Sequence, residues 1–165
     1  MEIIQGVLRS VTKEDIVNGH LEIPNVVNYI SSNCLKRNDD LISVHIPKSV
    51  KEIGSDAFSY CANLKTVKID EGLEVIGMAA FAFDQSLESI SFPKSLKRVE
   101  PYAFQNNFSL KKAKFGENLE YIGDETFLKC FSLQEVIIKS NKMYELESYV
   151  FENCGMLRKV ELPCT

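Results

Sequence analysis

Residues 41–58 read LISVHIPKSVKEIGSDAF, and residues 64–81 read LKTVKIDEGLEVIGMAAF. The two stretches place apolar residues at the same offsets and begin 23 residues apart. The spacing continues along the chain, because the phenylalanines that close successive units are Phe58, Phe81, Phe104 and Phe127, with Phe151 after a further 24 residues. A fixed period of roughly 20–50 residues is typical of a solenoid, in which each repeat forms one coil.

The period divides the 165-residue chain into the parts of one domain. We predict capping strands at 1–17, a degenerate repeat at 18–40, five repeats at 41–156 and a partial repeat at 157–165. Each unit opens with L-x-x-V-x-I, whose alternation predicts a strand with one buried face, and a short second strand follows. Because a single unit cannot bury its apolar side chains, we expect the first strands to stack into one parallel sheet and the phenylalanines to form one column.

Glycines recur after the second strand of the unit, at Gly54, Gly77 and Gly123. Glycine readily adopts a left-handed backbone, so this position predicts a left-handed turn. In one unit Glu100 takes the place of the glycine and Pro101 follows. We therefore expect the turn to have a different shape in that unit.

The pattern resembles the BspA-type leucine-rich repeats, a 23-residue class within the leucine-rich repeat superfamily. The stretches IPKSVKEIGSDAF (46–58) and FPKSLKRVEPYAF (92–104) carry the resemblance, which extends over residues 18–163. It implies a leucine-rich repeat solenoid with a parallel β-sheet on the concave face, and with short second strands and turns or short helical segments on the other side. It also implies a non-enzymatic protein-binding role, often in exported or surface-attached proteins. Residues 2–24 look like the lead-in strands that cap such arrays.

Composition and motifs argue against several functions. The net charge of −4 and the pI near 5.3 disfavour nucleic-acid binding, and no apolar run approaches the roughly 20 residues of a membrane helix. His20 and His45 are the only histidines, and neither lies in a catalytic or metal-binding motif, so we predict no enzyme activity, cofactor or metal. The N-terminus lacks a secretory leader, which predicts a cytoplasmic protein as written, or a surface or secreted one if the chain is trimmed.

Cysteines occupy one repeat position three times, at Cys61, Cys130 and Cys154, and Asp84 and Asn107 fill it in the units between. One hypothesis is a metal site or disulfide between Cys130 and Cys154, one coil apart. The favoured interpretation is a small buried side chain at a turn, because free cysteine is commonly buried. The odd total of five cysteines and the absence of C-x-x-C also disfavour a disulfide framework.

Charged residues form rows of alternating sign at the repeat spacing. Opposite charges on neighbouring strands attract, and a slip of one coil would place like charges together, so we interpret these rows as stabilising the register. The rows are Lys48, Glu71, Lys94 and Glu117; Lys51, Glu74, Lys97 and Glu120; and Lys65, Glu88 and Lys111.

One row on the outward face of the first strands does not alternate. It begins at Glu22, and its centre carries two lysines and a histidine without acids between them, followed by an isoleucine. A solvated strand face is the plain alternative, but structural pairing explains this row least. We therefore predict that a protein partner of unknown identity binds to its residues: His45, Lys68, Ser91, Lys114, Ile137 and Glu161.

Alternative roles follow from the ends of the array. The partial repeat at 157–165 supplies an opening strand without the rest of a coil. Such an edge predicts weak self-association, so the protein could be an assembly module that joins copies end to end. A further alternative is that the chain is a fragment of a larger surface adhesin-like protein.

Overall fold

The chain forms a parallel β-solenoid in which two short strands from each repeat lie on opposite sides of an apolar core. The structure is a computed structural model and describes residues 1–143 and 146–162. One 3-10 helix lies in the described residues, at Lys13–Asp15. The strands are β1 (Glu2–Ile4), β2 (Val7–Ser10), β3 (Ile16–Val17), β4 (His20–Glu22), β5 (Tyr29–Ile30), β6 (Ser43–Ile46), β7 (Glu52–Ile53), β8 (Thr66–Ile69), β9 (Val75–Ile76), β10 (Ser89–Ser91), β11 (Arg98–Val99), β12 (Lys112–Phe115), β13 (Tyr121–Ile122), β14 (Glu135–Ile138) and β15 (Lys159–Glu161).

The second strands of the repeats form a continuous seven-stranded sheet in the order β1-β2-β5-β7-β9-β11-β13. The first strands form the concave face, and here the prediction of one sheet is wrong. They make two four-stranded sheets, β3-β4-β6-β8 and β10-β12-β14-β15, with no ladder between β8 and β10. On the opposite side of the same two coils, β9 and β11 do pair, Val75 with Arg98 and Ile76 with Val99. The solenoid is therefore continuous along one side and interrupted along the other.

The N-terminal residues extend both sides of the solenoid. Strands β1 and β2 form an antiparallel hairpin, and β2 then pairs in parallel with β5. On the concave side, β3 pairs antiparallel with β4. Both sheets of the first coil thus have a covering strand, and the first coil does not expose its strand edges to solvent there.

The predicted phenylalanine column is confirmed. Rings of Phe58, Phe81, Phe104 and Phe127 are fully buried, and they stack with centroid separations of 4.9, 5.4 and 5.6 Å. Phe151 continues the column at 5.8 Å from Phe127. These separations are close to the roughly 4.8 Å spacing of paired strands, so one ring from each coil fills the core at each level.

The segment after the second strand is a stacked turn rather than a helix. Alternate residues donate their N–H groups to carbonyls of the following coil, as Asp56, Phe58 and Tyr60 do to Met78, Ala80 and Ala82 at 2.8–2.9 Å. The pattern recurs in the other coils and requires two left-handed residues in each. Because an intrahelical ladder would use the same N–H groups, the intercoil bonds replace it. The left-handed residues are Asn33, Arg37, Asp56, Tyr60, Ala79, Phe83, Tyr102, Asn106, Glu125, Lys129, Tyr149 and Asn153.

The recurrent glycines have a different role from the one predicted. The left-handed backbone lies two residues later, as at Asp56 and Ala79, and not at Gly54 or Gly77. At Gly77 the absence of a side chain allows close packing of the coils, because a Cβ there would lie 2.7 Å from the carbonyl oxygen of Ile53. A Cβ at Gly54 would lie 2.6 Å from a backbone nitrogen of the preceding coil.

The coil that lacks the glycine nevertheless keeps the shape of the turn, which contradicts the expectation drawn from Glu100 and Pro101. Glu100 donates its N–H to the carbonyl of Ile76 at 2.9 Å, as Gly77 does to Ile53 at 2.8 Å. Tyr102 has a left-handed φ of 62°, like its equivalents in the other coils. The intercoil hydrogen bonds therefore determine the turn more strongly than the residue at this position.

We predict that Phe104→Ala lowers the free energy of unfolding by about 3–5 kcal/mol, because stacked neighbours above and below prevent the coil from collapsing into the cavity. The matched control is Phe108→Ala in the same coil. Phe108 is 37% exposed and stacks on Phe131 at 5.3 Å, so its loss is expected to be only ~0.5–1.5 kcal/mol. Urea unfolding measures both. Equal losses for the two variants would contradict a larger contribution of the buried column to stability than of the exposed Phe108–Phe131 stack.

Candidate binding surface

The first strands alternate between side chains in the core and side chains on the concave face. Val44 and Ile46 of β6 are buried, whereas Ser43 and His45 face outward. The predicted binding row follows the strand register in two groups. Glu22, His45 and Lys68 are Cα partners on one sheet, and on the other sheet the partners are Ser91, Lys114, Ile137 and Glu161. The structure thus places the row on one face but divides it at the break between the sheets.

A cleft lies at this break, between Lys68 on one sheet and Ser91 on the other. It has a volume of about 360 Å³ and is also lined by Thr66, Val67, Ile69 and Ser89. Val67 and Ile69 are only partly buried, whereas Val44 and Ile46 at the same positions of the preceding coil are buried. The repeat spacing is the same on both sides of the break, so the periodicity of the sequence contains no signal of the cleft.

His45 lies between two carboxylates, Glu22 at the start of the same row and Asp70 outside it. Its Nδ1 lies 2.7 Å from Oε1 of Glu22, and its Nε2 lies 2.9 Å from Oδ2 of Asp70. His20 joins the cluster, with Nε2 3.4 Å from Glu22 and Nδ1 2.8 Å from the hydroxyl of Ser43. The His45 side chain is 18% exposed and bridges three coils, which indicates a structural role.

The histidines also change the acidity of their partners. Burial raises the pKa of Glu22, but hydrogen bonds from His45 and His20 outweigh that effect and hold the pKa below its ordinary value. The hydrogen bond from His45 is the main reason why the pKa of Asp70 is lowered. Both carboxyl groups are therefore ionised near neutral pH, and they offset positive charge at this end of the face.

The lysines of the row differ in their surroundings. The Lys68 side chain is 70% exposed, and its Nζ lies 3.7 Å from Asp70. Lys114 is exposed between Ser91 and Ile137 and forms no ion pair within the part of the chain that the structure describes. Since isolated surface ion pairs contribute little, Lys68 keeps most of its freedom to pair with a ligand, and Lys114 keeps all of it.

A second outward row, which sequence reasoning did not single out, lies one position before the V of the L-x-x-V-x-I motif. In its C-terminal part, Glu135 sits between Lys112 and Lys159, with N–O distances of 2.5 and 3.3 Å. Hydrogen bonds from both lysines lower the pKa of Glu135. Lys159 also pairs with Glu161 at 2.8 Å, so this predicted binding residue is engaged within the chain. The signal was the same sign alternation at the repeat spacing that identified the other rows.

The alternating rows form ion pairs between coils, although not between every neighbouring pair. Lys97 lies 2.7 Å from Glu74 and Lys111 lies 2.8 Å from Glu88, and hydrogen bonds from the lysines lower the pKa of both carboxyl groups. Lys51 instead donates to the carbonyl of Gly72 at 3.3 Å. Each of these rows thus contains one close pair, which fits a stabilising function in stacking.

The cysteine column has a packing role. Cys61 and Cys130 are fully buried free thiols, and each Sγ donates to a carbonyl of the preceding coil, Leu35 at 3.2 Å and Phe104 at 3.1 Å. Asn107 does the same with its amide, at 2.7 Å from the carbonyl of Phe81. Burial raises the pKa of Cys61 and Cys130 far above the ordinary range, so neither is a reactive thiolate. Cys164, in the C-terminal partial repeat, lies outside the described residues.

Within residues 1–143 and 146–162, no group of three or more histidine, cysteine or acidic side chains is arranged to hold a metal ion. Over the same ranges, no helix is long and apolar enough to cross a membrane. The described outward face of the first strands is therefore a polar surface, with rows of charged side chains and the cleft between the two sheets.

Stacked 23-residue coils, a parallel sheet on one side and short strands and turns on the other define a leucine-rich repeat solenoid. A model of the BspA type leucine-rich repeat region matches residues 54–165, with six copies. The chain belongs to this family. Leucine-rich repeats of this kind are typically non-enzymatic.

Solved structures of bacterial leucine-rich repeat proteins share the fold. A leucine-rich repeat protein of T. pallidum is 25% identical, with a TM-score of 0.76 over 88% of this chain and 69% of that one. A leucine-rich repeat protein of Bacteroides capillosus is 25% identical, with a TM-score of 0.58 over 66% of this chain and 85% of that one. A leucine-rich cell surface protein of Faecalibacterium prausnitzii, at 20% identity and a TM-score of 0.55, covers 86% of this chain with 53% of its own. No curated protein matches the sequence.

Asp84 leads to a prediction about pH. It occupies the cysteine column, where Cys61, Asn107 and Cys130 donate to a carbonyl of the preceding coil, but an ionised carboxylate has no hydrogen to donate. It is fully buried; its Oδ1 accepts the Cys61 N–H at 2.9 Å, and its Oδ2 has no partner. Burial raises the pKa of Asp84 well above its ordinary value, although the Cys61 hydrogen bond lowers it in part. A protonated Oδ2 can donate to a carbonyl of the preceding coil, as the thiols and Asn107 do.

Because the folded pKa lies above the unfolded one, the contribution of Asp84 to stability is fully present below the unfolded pKa and is lost as pH rises through the folded pKa. Asp84→Asn supplies the donor at every pH. We expect this variant to be at least as stable as the parent at neutral and alkaline pH and to lose that part of the pH dependence. Urea unfolding from about pH 3 to 9 measures it, because that range begins below the ordinary aspartate pKa of about 3.9 in the unfolded chain. Parallel pH profiles for the two proteins would rule out a neutral Asp84.

Proposed function

We propose that the chain is a non-enzymatic scaffold that binds an acidic protein partner through the concave sheet face. The proposal depends on the exposure and the ion pairing of two lysines on this face, Lys114 and Lys68. On the same side of the solenoid, Lys112 and Lys159 pair with Glu135 of the coil between them, whereas Lys114 is exposed and free of an ion pair in the described structure. Lys68 is 70% exposed on the same face, across the cleft between the sheets. Exposed positive charge on the concave face favours a partner of negative charge.

The other residues of the predicted row support this arrangement in different ways. Ser91 is exposed at the edge of the cleft, and Ile137 is partly exposed beside Lys114, so both can contact a partner without the loss of an internal bond. His45 and Glu161 are engaged by acidic and basic neighbours within the chain. We assign these two a role in ordering the surface, with direct contact centred on Lys68 and Lys114.

The test replaces both lysines, as Lys68→Glu with Lys114→Glu. Because the side chains face away from the core, we expect thermal stability to remain close to that of the parent. Repulsion of an acidic partner should weaken binding by at least ~100-fold. Affinity capture with the parent identifies the partner, and titration with the purified partner measures the affinity of each variant.

The matched control carries the same change in charge on other sides of the solenoid, as Lys51→Glu with Lys129→Glu. These lysines lie beside the second strand and on the outer turn. Binding that is lost in the control as well would indicate a general effect of net charge. Binding that survives in the Lys68 and Lys114 variant would place the interface on another surface.

End-to-end assembly is a second candidate, and strand β15 is the observation that favours it. All residues of β15 are exposed, Val160 at 39%, and Leu162 just after the strand is 55% exposed. Within the described residues β15 pairs with β14 alone. An exposed strand with apolar side chains can pair with the edge of another copy. Light scattering over a wide concentration range separates the two candidates, because assembly raises the mass with concentration and recognition by the face does not.

A further inference from the structure

The turn after β8 contains a carboxylate bound to backbone N–H groups of the next coil. Glu71 accepts from the N–H of Lys94 at 3.1 Å through Oε1 and from the N–H of Ser95 at 3.2 Å through Oε2. Two adjacent N–H groups that point toward one anion form a backbone binding site of the kind proteins use for oxyanions. The chain therefore contains an internal example of carboxylate recognition by this turn.

One coil later the same two N–H groups lack this carboxylate. The residues equivalent to Lys94 and Ser95 are Glu117 and Asn118, and the residue equivalent to Glu71 is Lys94, whose ammonium group cannot accept a hydrogen bond. The N–H groups of Glu117 and Asn118 have no protein acceptor among the described residues. The Asn118 side chain is engaged elsewhere, donating to the carbonyl of Lys94 at 2.9 Å and accepting from Lys142 at 2.7 Å.

A pocket of about 250 Å³ lies beside this turn, and its lining is rich in positive charge. Lys94, Lys114 and Lys139 line it, against the single carboxylate of Glu117, which lies 3.5 Å from Lys94. Lys114 makes no ion pair in the described structure. The charge of the pocket is therefore positive, and one of its lysines, Lys114, belongs to the proposed binding face.

The base of the pocket is apolar and closely packed. Phe92 and Phe115 both line it, and their rings stack at 4.5 Å. Gly116 completes the lining, and a Cβ there would lie 2.8 Å from the Cα of Lys94. Glycine thus allows the turn to approach the preceding coil, and the absence of a side chain keeps the pocket open.

We propose that this pocket binds a carboxylate from an aspartate or glutamate side chain of an acidic peptide segment in the protein partner. The carboxylate accepts from the N–H groups of Glu117 and Asn118 as Glu71 does from those of Lys94 and Ser95, while Lys94, Lys114 and Lys139 balance its charge. The inference rests on the proposed function, because it names the chemistry of the partner at one end of the concave face. A planar carboxylate is favoured over a tetrahedral oxyanion because the equivalent turn already holds one.

The experiment titrates ¹⁵N-labelled protein with an end-blocked hexaglutamate peptide at constant ionic strength. We expect saturable shifts that are largest for the amide signals of Glu117 and Asn118. A parallel titration with inorganic phosphate tests a tetrahedral oxyanion. Saturation of these signals by phosphate without a response to the peptide would contradict the assignment to a carboxylate. Shifts spread evenly over all lysine-rich surfaces would also contradict it.

Two sets of variants sharpen the test. Lys94→Gln with Lys139→Gln should weaken peptide binding by at least ~10-fold, since charge-assisted hydrogen bonds are lost. The control Lys51→Gln with Lys65→Gln removes the same charge from the first coils and should leave the affinity unchanged. Equal affinity of the Lys94 and Lys139 variant and the parent would overturn the proposal.

Lys94→Glu provides a more direct readout. It places a carboxylate where Glu71 lies in the preceding coil, so the side chain should occupy the two N–H groups from within. We expect the Glu117 and Asn118 signals of the free variant to move in the same direction as peptide moves them in the parent, and the peptide response to disappear. Unmoved signals together with normal peptide binding would overturn the proposal. If the carboxylate site fails while Lys68→Glu with Lys114→Glu still abolishes partner capture, the concave-face function stands and only this pocket is wrong.

Discussion

Backbone hydrogen bonds join each coil to the coils on both sides, and no coil can bury its apolar side chains without its neighbours. On the two strand sides the ladders join equivalent residues one repeat apart, and on the outer side N–H groups of the turns reach the next coil at about 2.8–3.4 Å. Every coil must therefore present nearly the same cross-section. The phenylalanine column, the cysteine column and the close glycines all meet this requirement at different points of the same cross-section.

The sequence predicts this cross-section well because stacking brings residues that are one repeat apart into contact. Phe104 stacks on Phe81 because they are one repeat apart, and Glu74 reaches Lys97 for the same reason. The errors lie where contact is not between equivalent residues. Asp70 reaches His45 across an offset of 25 residues. At Gly77, close contact with a carbonyl of the preceding coil explains the glycine, and its own φ does not. The break between β8 and β10 leaves the period unchanged, so no pattern in the repeats predicts it.

Charge divides the surface into a structural part and a part available for binding. Where acids and bases alternate between coils, as at Glu88 and Lys111, the pairs stabilise the stack. Where the alternation fails, the charge balance depends on acids close to each basic side chain, whether or not they belong to the row. At His45 two carboxylates restore the balance, whereas at Lys114 nothing in the described structure does. The row could thus be identified from the sequence, but which of its side chains stay free of ion pairs depends on side-chain geometry that the period does not encode.

Deletion of one complete coil, residues 87–109, tests the stacking requirement most directly. The deletion keeps the cross-section but places Glu74 against Glu120 and Lys65 against Lys111. We expect cooperative urea unfolding with a smaller m-value, and a free energy of unfolding that rises with salt more steeply than in the parent, because screening relieves the new repulsions. Deletion of residues 87–98, about half a coil, should abolish cooperative unfolding. Equal behaviour of the two deletions, or no change in salt dependence, would contradict the account.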